Sequence, residues 1–240
     1  MIWSGKIFVS AGCSFSKKIG PNNVPWNDYL ANYCNPIKHI SKGLGSAGNG
    51  FISRSVIYEV SKLLKDTNPK NIVVGIMWSG PIRQEFYWDN AEREHKWDDG
   101  IDNEWFKLPA NFKENDNGSW IRLPSIWNTS DTYYKHFYDS THGQITTLEH
   151  VLRTQWFLDK HNIQYFMLQY MDETFAKKDL PQCKHLTEQI DWTKFVTNIG
   201  CYEWVTNKDL RLIDETNHPT SEAHELFTNE VILPYLNAKN

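Results

Sequence analysis

Ser14 and Ser16 stand close behind a short apolar run, and Ser14 is the first residue that could do chemistry. The run Ile7-Phe8-Val9-Ser10-Ala11 has the β-type pattern of a buried parallel strand, and Gly12 follows it. Glycine would let the backbone turn sharply and lift the next side chain above the sheet edge, where ligands bind in open α/β sheets. Taken alone, this stretch favours a simpler interpretation, in which the two serines cap the following helix.

A second stretch near the C-terminus changes that balance, because it places an acid shortly before a histidine. Asp214 and Glu215 precede His218 by four and three residues, and Pro219 follows, where its fixed φ favours the start of a helix. A serine hydroxyl is a poor nucleophile at neutral pH and needs an adjacent base, which in turn needs an acceptor that fixes its tautomer. Ser14, His218 and one of the acids are those three groups.

Four blocks of the chain resemble the SGNH/GDSL hydrolase family in their order and spacing. Gly12-Cys13-Ser14 is similar to the family's first block, Gly-Asp-Ser, with Cys in place of Asp. The segment from Gly43 to Gly50 matches the glycine-containing loop of the second block, and Met77-Trp78-Ser79-Gly80 matches the third, with Ser79 at the Asn position. Glu215-Thr216-Asn217-His218-Pro219 is similar to the last block, Asp-x-x-His-Pro, with Glu in place of Asp.

The resemblance implies a flavodoxin-like three-layer α/β/α sandwich and ester hydrolysis through an acyl-enzyme. It implies Ser14 as the nucleophile, His218 as the base and Glu215 as the acid that orients the imidazole, with Asp214 as the alternative. The backbone N–H of Ser14 would hold the oxyanion, together with donors from the glycine loop and the third block. The candidate oxyanion and substrate residues are Gly45, with Gly48 as its alternative, and Ser79, Trp78 and Arg83.

Four alternatives stay open at this point. Cys13 could itself be the nucleophile, since a thiolate is intrinsically stronger than a hydroxyl. Arg83 and Glu85 could form a solvated ion pair at a strand end instead of touching substrate. The departures at Cys13 and Ser79 also fit a binding protein that kept the fold and lost activity, and acyl transfer would result if an alcohol replaced water.

Composition narrows the classes of partner. A length of 240 residues suits a single α/β domain, and a formal net charge of -4 gives no basic footprint for nucleic acid. The chain lacks the ~20-residue apolar stretch of a membrane helix and a signal region, so we expect a cytoplasmic protein with no membrane partner. The cysteines lack metal-ligand spacing and are expected to be reduced thiols, so we expect no metal and no cofactor. They are Cys13, Cys34, Cys183 and Cys201.

The periodicity predicts alternating strands and helices, hence one domain over residues 1–240 with a parallel sheet and helices on both faces. Predicted strands are Ile7–Ala11, Ile37–Ile40, Ile72–Trp78, Ile163–Gln169 and Leu210–Ile213. Predicted helices are Val24–Tyr33, Asn49–Lys65, Asp131–Tyr138 leading into Gln144–Lys160, Ile190–Val196 and Thr220–Leu236.

A change of pattern at about residues 86–130 predicts an inserted, aromatic-rich cap of loops and hairpins over the sheet edge. Asp98-Asp99-Gly100 and Asn115-Asp116-Asn117-Gly118 favour tight turns. The segment is interpreted equally well as a lid over the site or as an aromatic satellite core. Because its tryptophans and carboxylates would suit sugar rings, a small-molecule or glycan ester is the expected substrate, and an acylated carbohydrate is favoured. The sequence does not fix the oligomeric state.

Overall fold

The structure, a computed structural model, describes residues 3–19, 23–88, 119–123, 131–213 and 217–239. The strands are β1 (Ile7–Gly12), β2 (Lys38–Gly43), β3 (Ile72–Trp78), β4 (Gln84–Trp88), β5 (Ser119–Leu123), β6 (Gln164–Gln169), β7 (Leu212–Ile213) and β8 (His218–Pro219). The helices are α1 (Trp26–Cys34), α2 (Asn49–Leu63), α3 (Asp131–His136), α4 (Ser140–Lys160), α5 (Lys184–Thr187), α6 (Cys201–Asn207), α7 (Ser221–Phe227) and α8 (Leu233–Lys239).

Four parallel strands form the central sheet in the order β2-β1-β3-β6. Val9 in β1 is level with Ile40 in β2 and Val74 in β3, and Val74 is level with Tyr165 in β6. Every residue of β1 and β3 is buried, as expected for strands covered on both faces, whereas β2 lies at the edge and is partly exposed. This parallel arrangement brings the carboxyl ends of β1 and β3 to one edge of the sheet.

Alternating side chains of the sheet enter two separate cores, which makes the fold a three-layer α/β/α sandwich. Ile7, Val9 and Ala11 pack with residues of α2 and α4 on one face. Phe8 points to the opposite face, where it packs with residues of α1, α6 and the C-terminal helices. The prediction of helices on both faces of a parallel sheet is therefore confirmed.

Strands β4 and β5 pair antiparallel, with Gln84 level with Leu123 and Trp88 level with Ser119. They lie in the region of the predicted insertion at about 86–130, which stays a prediction. The predicted turns at 98–100 and 115–118 lie outside the described residues, so the choice between a lid and a satellite core stays a prediction.

The region after β6 differs most from the sequence-based expectation. A helix over Ile190–Val196 is wrong: Trp192–Lys194 forms a single 3₁₀ turn, and Phe195 then makes a parallel bridge to Met167 of β6. Helix α6 was not predicted. Strand β7 pairs antiparallel with β8 and does not extend the central sheet.

The helices around the C-terminal half also differ from expectation in their ends. Pro219 belongs to β8, and Thr220 caps α7 by accepting a hydrogen bond from the Ala223 N–H, so the proline does not begin the helix. A five-residue π-helical stretch, Thr228–Ile232, connects α7 to α8. The predicted helix of the 131–160 region is two helices, because Asp139 caps a new one, α4, with hydrogen bonds from Thr141 and His142.

Candidate functional site

Ser14 begins a 3₁₀ turn, Ser14–Ser16, directly at the carboxyl end of β1. The turn packs so tightly that a Cβ on Gly12 would overlap the Ser16 hydroxyl and a Cβ on Gly43 would overlap the Ser16 carbonyl. The Trp26 indole N–H donates to Ser16 Oγ at 2.9 Å and holds the turn from the α1 side. Gly12 is therefore required because the Ser16 side chain lies close to its Cα, and not because it has a left-handed conformation. Neither Ser14 nor Ser16 caps an α-helix.

The structure brings Ser14 and His218 together across 204 residues of sequence, with Ser14 Oγ 2.7 Å from His218 Nε2. His218 lies in β8, where the pairing of Ile213 with His218 fixes its backbone, and Asn217 before it has a left-handed φ of 54°. Both side chains are half-buried. This contact gives the hydroxyl the adjacent base that nucleophilic attack requires.

Cys13 and the candidate acids complete the comparison with the expected triad. The Cys13 side chain is fully buried in the core on the α1 face, so it is Ser14 that meets the imidazole. Asp214 and Glu215 lie outside the described residues, and the identity of the acid stays a prediction.

A second histidine, His224 of α7, packs against Phe15, which also contacts His218. No role is assigned to His224 from the sequence. It is 1% exposed, and its ring meets the edge of Phe15, which also contacts His218 at 5.2 Å between ring centroids. Burial, with a smaller contribution from His218, lowers the pKa of His224 to about 3. His224 is therefore a neutral packing residue at neutral pH, and its place on the buried face of α7, beside Ala223 and Phe227, is the signal that could have revealed it.

Glu85 of β4 is the anchor of the glycine loop, and sequence reasoning missed that role. Its carboxylate accepts hydrogen bonds from the N–H groups of Gly48 at 2.6 Å and Phe51 at 3.0 Å, and it pairs with Arg54 at 3.4 Å. The side chain is 3% exposed, so the expected solvated ion pair with Arg83 is wrong. Burial raises the pKa of Glu85, while Arg54 and the two amides act in the opposite direction.

The two candidate loop glycines consequently differ. The Gly48 amide is engaged by Glu85. Gly45 borders open space, since a Cβ there would meet nothing within 4 Å. Gly45 therefore has room beside it for a ligand.

Ser79 follows β3 and is fixed through its backbone by Asn49. The Ser79 N–H donates to Asn49 Oδ1 at 2.7 Å, and Asn49 Nδ2 donates to the Ser79 carbonyl at 2.9 Å and to Thr147 at 3.0 Å. The side chain of Ser79 is fully buried, and its hydroxyl accepts a hydrogen bond from Arg83 Nη1 at 2.8 Å. The assignment of Trp78 as a substrate contact is wrong, because the alternation of β3 directs this fully buried side chain into the core against α2 and α4.

The comparisons with known proteins give a family and a set of similar structures. A family model described as "Family of unknown function (DUF6071)" matches residues 21–239. The chain belongs to this family. No curated protein matches the chain.

Three solved structures are similar to this chain at low sequence identity. A protein from Desulfitobacterium hafniense DCB-2, described as a G-D-S-L family lipolytic candidate, has 12% identity and a TM-score of 0.44, covering 93% of this chain and 96% of its own. A lipolytic G-D-S-L family member from Veillonella parvula DSM 2008 has 9% identity and a TM-score of 0.44, covering 93% and 94%. An acylhydrolase candidate from Bacteroides fragilis NCTC 9343 has 13% identity and a TM-score of 0.43, covering 98% and 88%.

The described part of the chain contains neither a metal-binding cluster of side chains nor a membrane-spanning helix. Across these residues, no group of three or more His, Cys, Asp or Glu side chains is placed to hold a metal ion. No described helix has both the length and the apolar character needed to cross a membrane.

Proposed function

We propose that this chain is a serine hydrolase that cleaves carboxylic esters through an acyl-enzyme. The observation that carries the proposal is the 2.7 Å contact between Ser14 Oγ and His218 Nε2 at the carboxyl edge of a parallel sheet. A hydroxyl and an imidazole at this distance can pass a proton directly, which is the requirement for a serine nucleophile.

The proposed reaction begins when Ser14 Oγ attacks the ester carbonyl carbon and His218 Nε2 takes the hydroxyl proton. The carbonyl π electrons move to the oxygen, and the tetrahedral intermediate collapses when the bond to the alcohol breaks. His218 gives its proton to the leaving alkoxide, and the same steps with water release the acid. Glu215 would hold the other ring nitrogen of His218 in the required tautomer, with Asp214 as the alternative.

Backbone donors for the oxyanion are proposed at Ser14 and Gly45. Ser14 opens a 3₁₀ turn, and amides in the first turn of a helix have no acceptor within that helix. Gly45 lies on the loop after β2 next to open space, on the same side of the sheet. Gly48 is set aside because its amide is engaged by Glu85.

An acylated carbohydrate is the proposed substrate class. The predicted insertion at about residues 86–130 carries tryptophans and carboxylates that would suit sugar rings. A cleft of about 610 Å³ beyond the carboxyl end of β6 is lined by the half-buried Trp192 and by polar residues such as Asp172 and Asn198, and it would also suit a sugar ring.

A fluorophosphonate probe tests the proposed function, because it reacts with activated serines and stays attached. We expect stoichiometric labelling that peptide mass spectrometry places on Ser14. Ser14→Ala and His218→Ala should remove the labelling, and Cys13→Ala should keep it. Labelling that disappears in Cys13→Ala and persists in Ser14→Ala would move the nucleophile to the thiol.

The second candidate function is a binding protein without activity, and acyl transfer is a variant of the first. The buried side chain of Ser79 favours loss of activity, since the block that holds an Asn in the SGNH pattern here offers no side chain of its own to a substrate. An absence of labelling in well-folded protein would support the binding protein. Formation of a new ester when an alcohol is added to the assay would support the transferase.

A further inference from the structure

The hydroxyl of Ser79 cannot take the place of the amide that the SGNH pattern has in its third block. A guanidinium has only donors, so in the 2.8 Å bond between Arg83 Nη1 and Ser79 Oγ the serine oxygen is the acceptor. Ser79 is fully buried, and Asn49 fixes its backbone on both sides. The side chain that contacts the Ser79 hydroxyl is that of Arg83, which is half-buried.

A tight turn returns Arg83 to the end of β3. The Arg83 N–H donates to the Gly80 carbonyl at 3.3 Å, and Pro81 occupies the second position of this four-residue turn, which its fixed φ favours. Without the turn, a side chain four residues after Ser79 would lie along the next strand and away from it. The turn within Ser79-Gly80-Pro81-Ile82-Arg83 thus places the Arg83 guanidinium at the sheet edge, next to Ser79.

Tyr170 supports the guanidinium from one side. Arg83 Cζ lies 5.0 Å from the centroid of the Tyr170 ring, and the Tyr170 hydroxyl is hydrogen-bonded to Glu173. Gly80 makes this packing possible, because a Cβ there would lie 2.8 Å from both the Tyr170 hydroxyl and Glu173 Oε1. A stacked and hydrogen-bonded guanidinium loses little freedom on binding a ligand, which is the preorganisation that transition-state stabilisation requires.

The guanidinium is connected to the nucleophile turn through Tyr170 and keeps its charge. The Tyr170 ring, which contacts Arg83, also meets Phe15 of that turn edge-on, with 5.4 Å between the ring centroids. Burial alone would lower the pKa of Arg83, but Cys13, Tyr170 and Glu173 outweigh it and raise the pKa above its ordinary value. A permanent positive charge therefore lies beside Ser79 at the end of β3, and Tyr170 contacts both this charge and the nucleophile turn.

We propose that Arg83 is the side-chain donor of the oxyanion hole and that Ser79 is a positioning residue that holds it. This inference rests on the proposed function, since it needs an oxyanion to form at Ser14. As the Ser14 Oγ–carbon bond forms and negative charge develops on the carbonyl oxygen, Arg83 would donate an N–H to that oxygen without losing its proton. A charge-assisted bond of this kind is about twice as strong as a neutral one.

The test compares Arg83→Gln, Arg83→Lys and Ser79→Ala with the unchanged protein, using hydrolysis of p-nitrophenyl acetate and the rate of fluorophosphonate labelling. Arg83→Gln should lower kcat and the labelling rate ~100-fold or more, with KM within about twofold, because the bond strengthens in the transition state. Arg83→Lys keeps the charge but loses the planar fork, so its loss should be smaller. Ser79→Ala should cost less than Arg83→Gln.

Arg153→Gln is the matched control, because Arg153 on α4 also donates to a serine hydroxyl, that of Ser53, at 2.9 Å. It should leave kcat unchanged, and thermal unfolding of each variant should show that the fold persists. If Arg83→Gln does not fold, Arg83→Lys and Ser79→Ala still separate the two roles through their kcat values.

The outcomes that would overturn the inference differ from those that would overturn the proposed function. Wild-type labelling at Ser14 combined with an unchanged kcat in Arg83→Gln would remove Arg83 from the oxyanion hole and leave the hydrolase in place. A raised KM with unchanged kcat would make Arg83 a substrate-binding residue and also overturn the inference. A wild-type protein that is neither labelled nor active would overturn the proposed function, and the inference with it.

Discussion

The two ends of the candidate site relate differently to the blocks that the sequence shares with SGNH hydrolases. At the β1 end, Ser14 and His218 stand where the resemblance puts them, and a 2.7 Å contact joins them. At the β3 end, Ser79 stands at the Asn position, but its hydroxyl is buried and accepts a bond from Arg83. The first end has the serine and the histidine of the pattern, with Cys13 in place of its Asp, whereas the second end has Ser79 in place of its Asn.

The difference follows from the chemistry that each end would perform. Proton transfer between a nucleophile and a base needs particular atoms at hydrogen-bond distance, and few pairs of side chains provide them near pH 7. An oxyanion needs only donors, which backbone amides, hydroxyls, amide side chains and guanidinium groups all supply. We therefore expect changes at the β1 end to abolish turnover and changes at the β3 end to reduce it.

The largest expected effect is the loss of either member of the Ser14–His218 pair. Ser14→Ala and His218→Ala should each lower kcat for p-nitrophenyl acetate ~10⁴-fold or more, with thermal unfolding nearly unchanged. Because the two residues act as a unit, the double variant should be no slower than the slower single one. If kcat of the double variant is far below that of both single variants, Ser14 and His218 contribute independently and do not act as a unit.

Loss of the acid that orients His218 should have the next largest effect on kcat. This acid would be the third catalytic group at the β1 end of the site. If the segment before His218 is extended, Asp214 and Glu215 point to opposite sides, and Glu215 has the spacing of the SGNH pattern. Glu215→Gln should lower kcat ~10²- to 10⁴-fold, and Asp214→Asn only a few-fold. The two isosteric variants control for each other, and the reverse order of kcat values would assign the acid to Asp214.

The parts of the molecule that the sequence predicts well are those governed by local pattern. The pattern predicts β3 residue for residue because both of its faces are buried. It predicts α2 to within two residues at its C-terminal end, because the apolar stripe of this helix has helical spacing. Contacts between distant segments leave no such pattern. The contact of the Glu85 carboxylate with the Gly48 amide depends on where β4 lies relative to α2, which periodicity does not encode. The return of Arg83 to Ser79 depends on a four-residue turn, which periodicity does not encode either.

The prediction for the region after β6 is wrong for a related reason. Trp192–Lys194 is a single 3₁₀ turn, and its neighbour Phe195 is held by a bridge to Met167, so tertiary contacts rather than helical spacing decide its conformation. The sequence does predict the pair of Ser14 and His218, although the two residues are 204 positions apart, because each lies in a block with its own local signature.

A third prediction concerns the close packing that fixes the β1 end, with the adjacent loop as its control. Gly43→Ala should destabilise the protein by about 1–3 kcal/mol or more, because its Cβ would overlap the Ser16 carbonyl in the nucleophile turn. Gly45→Ala should change stability little, because its Cβ meets nothing within 4 Å. Urea unfolding measures both. Equal effects would show that the turn yields to the added methyl group and does not hold Ser14 rigidly.

The smallest expected effect is on the pH dependence of the free energy of unfolding, to which the β1 end should contribute and the β3 end should not. His224 packs behind the β1 end, and burial lowers its pKa to about 3, whereas an unfolded histidine has a pKa near 6.5. Below pH 6.5 the unfolded chain therefore binds a proton that the native state refuses, and stability is lost as the pH falls. By linkage the loss is ~2 kcal/mol between pH 7 and pH 5.

His150, whose pKa is also lowered to about 3 by burial and by Arg153 and Arg54, is the matched histidine on the other face of the sheet. Urea unfolding at pH 7 and pH 5 should show that His224→Gln and His150→Gln each flatten the dependence on pH. Only His224→Gln should also protect Ser14 labelling from partial acid unfolding, because its ring contacts Phe15 beside His218. The positive charge of Arg83 does not titrate in this range, so the β3 end should not respond. An unchanged pH dependence in His224→Gln would mean that this imidazole is protonated in the native state, and that the β1 end rests on a buried charge instead of a neutral ring.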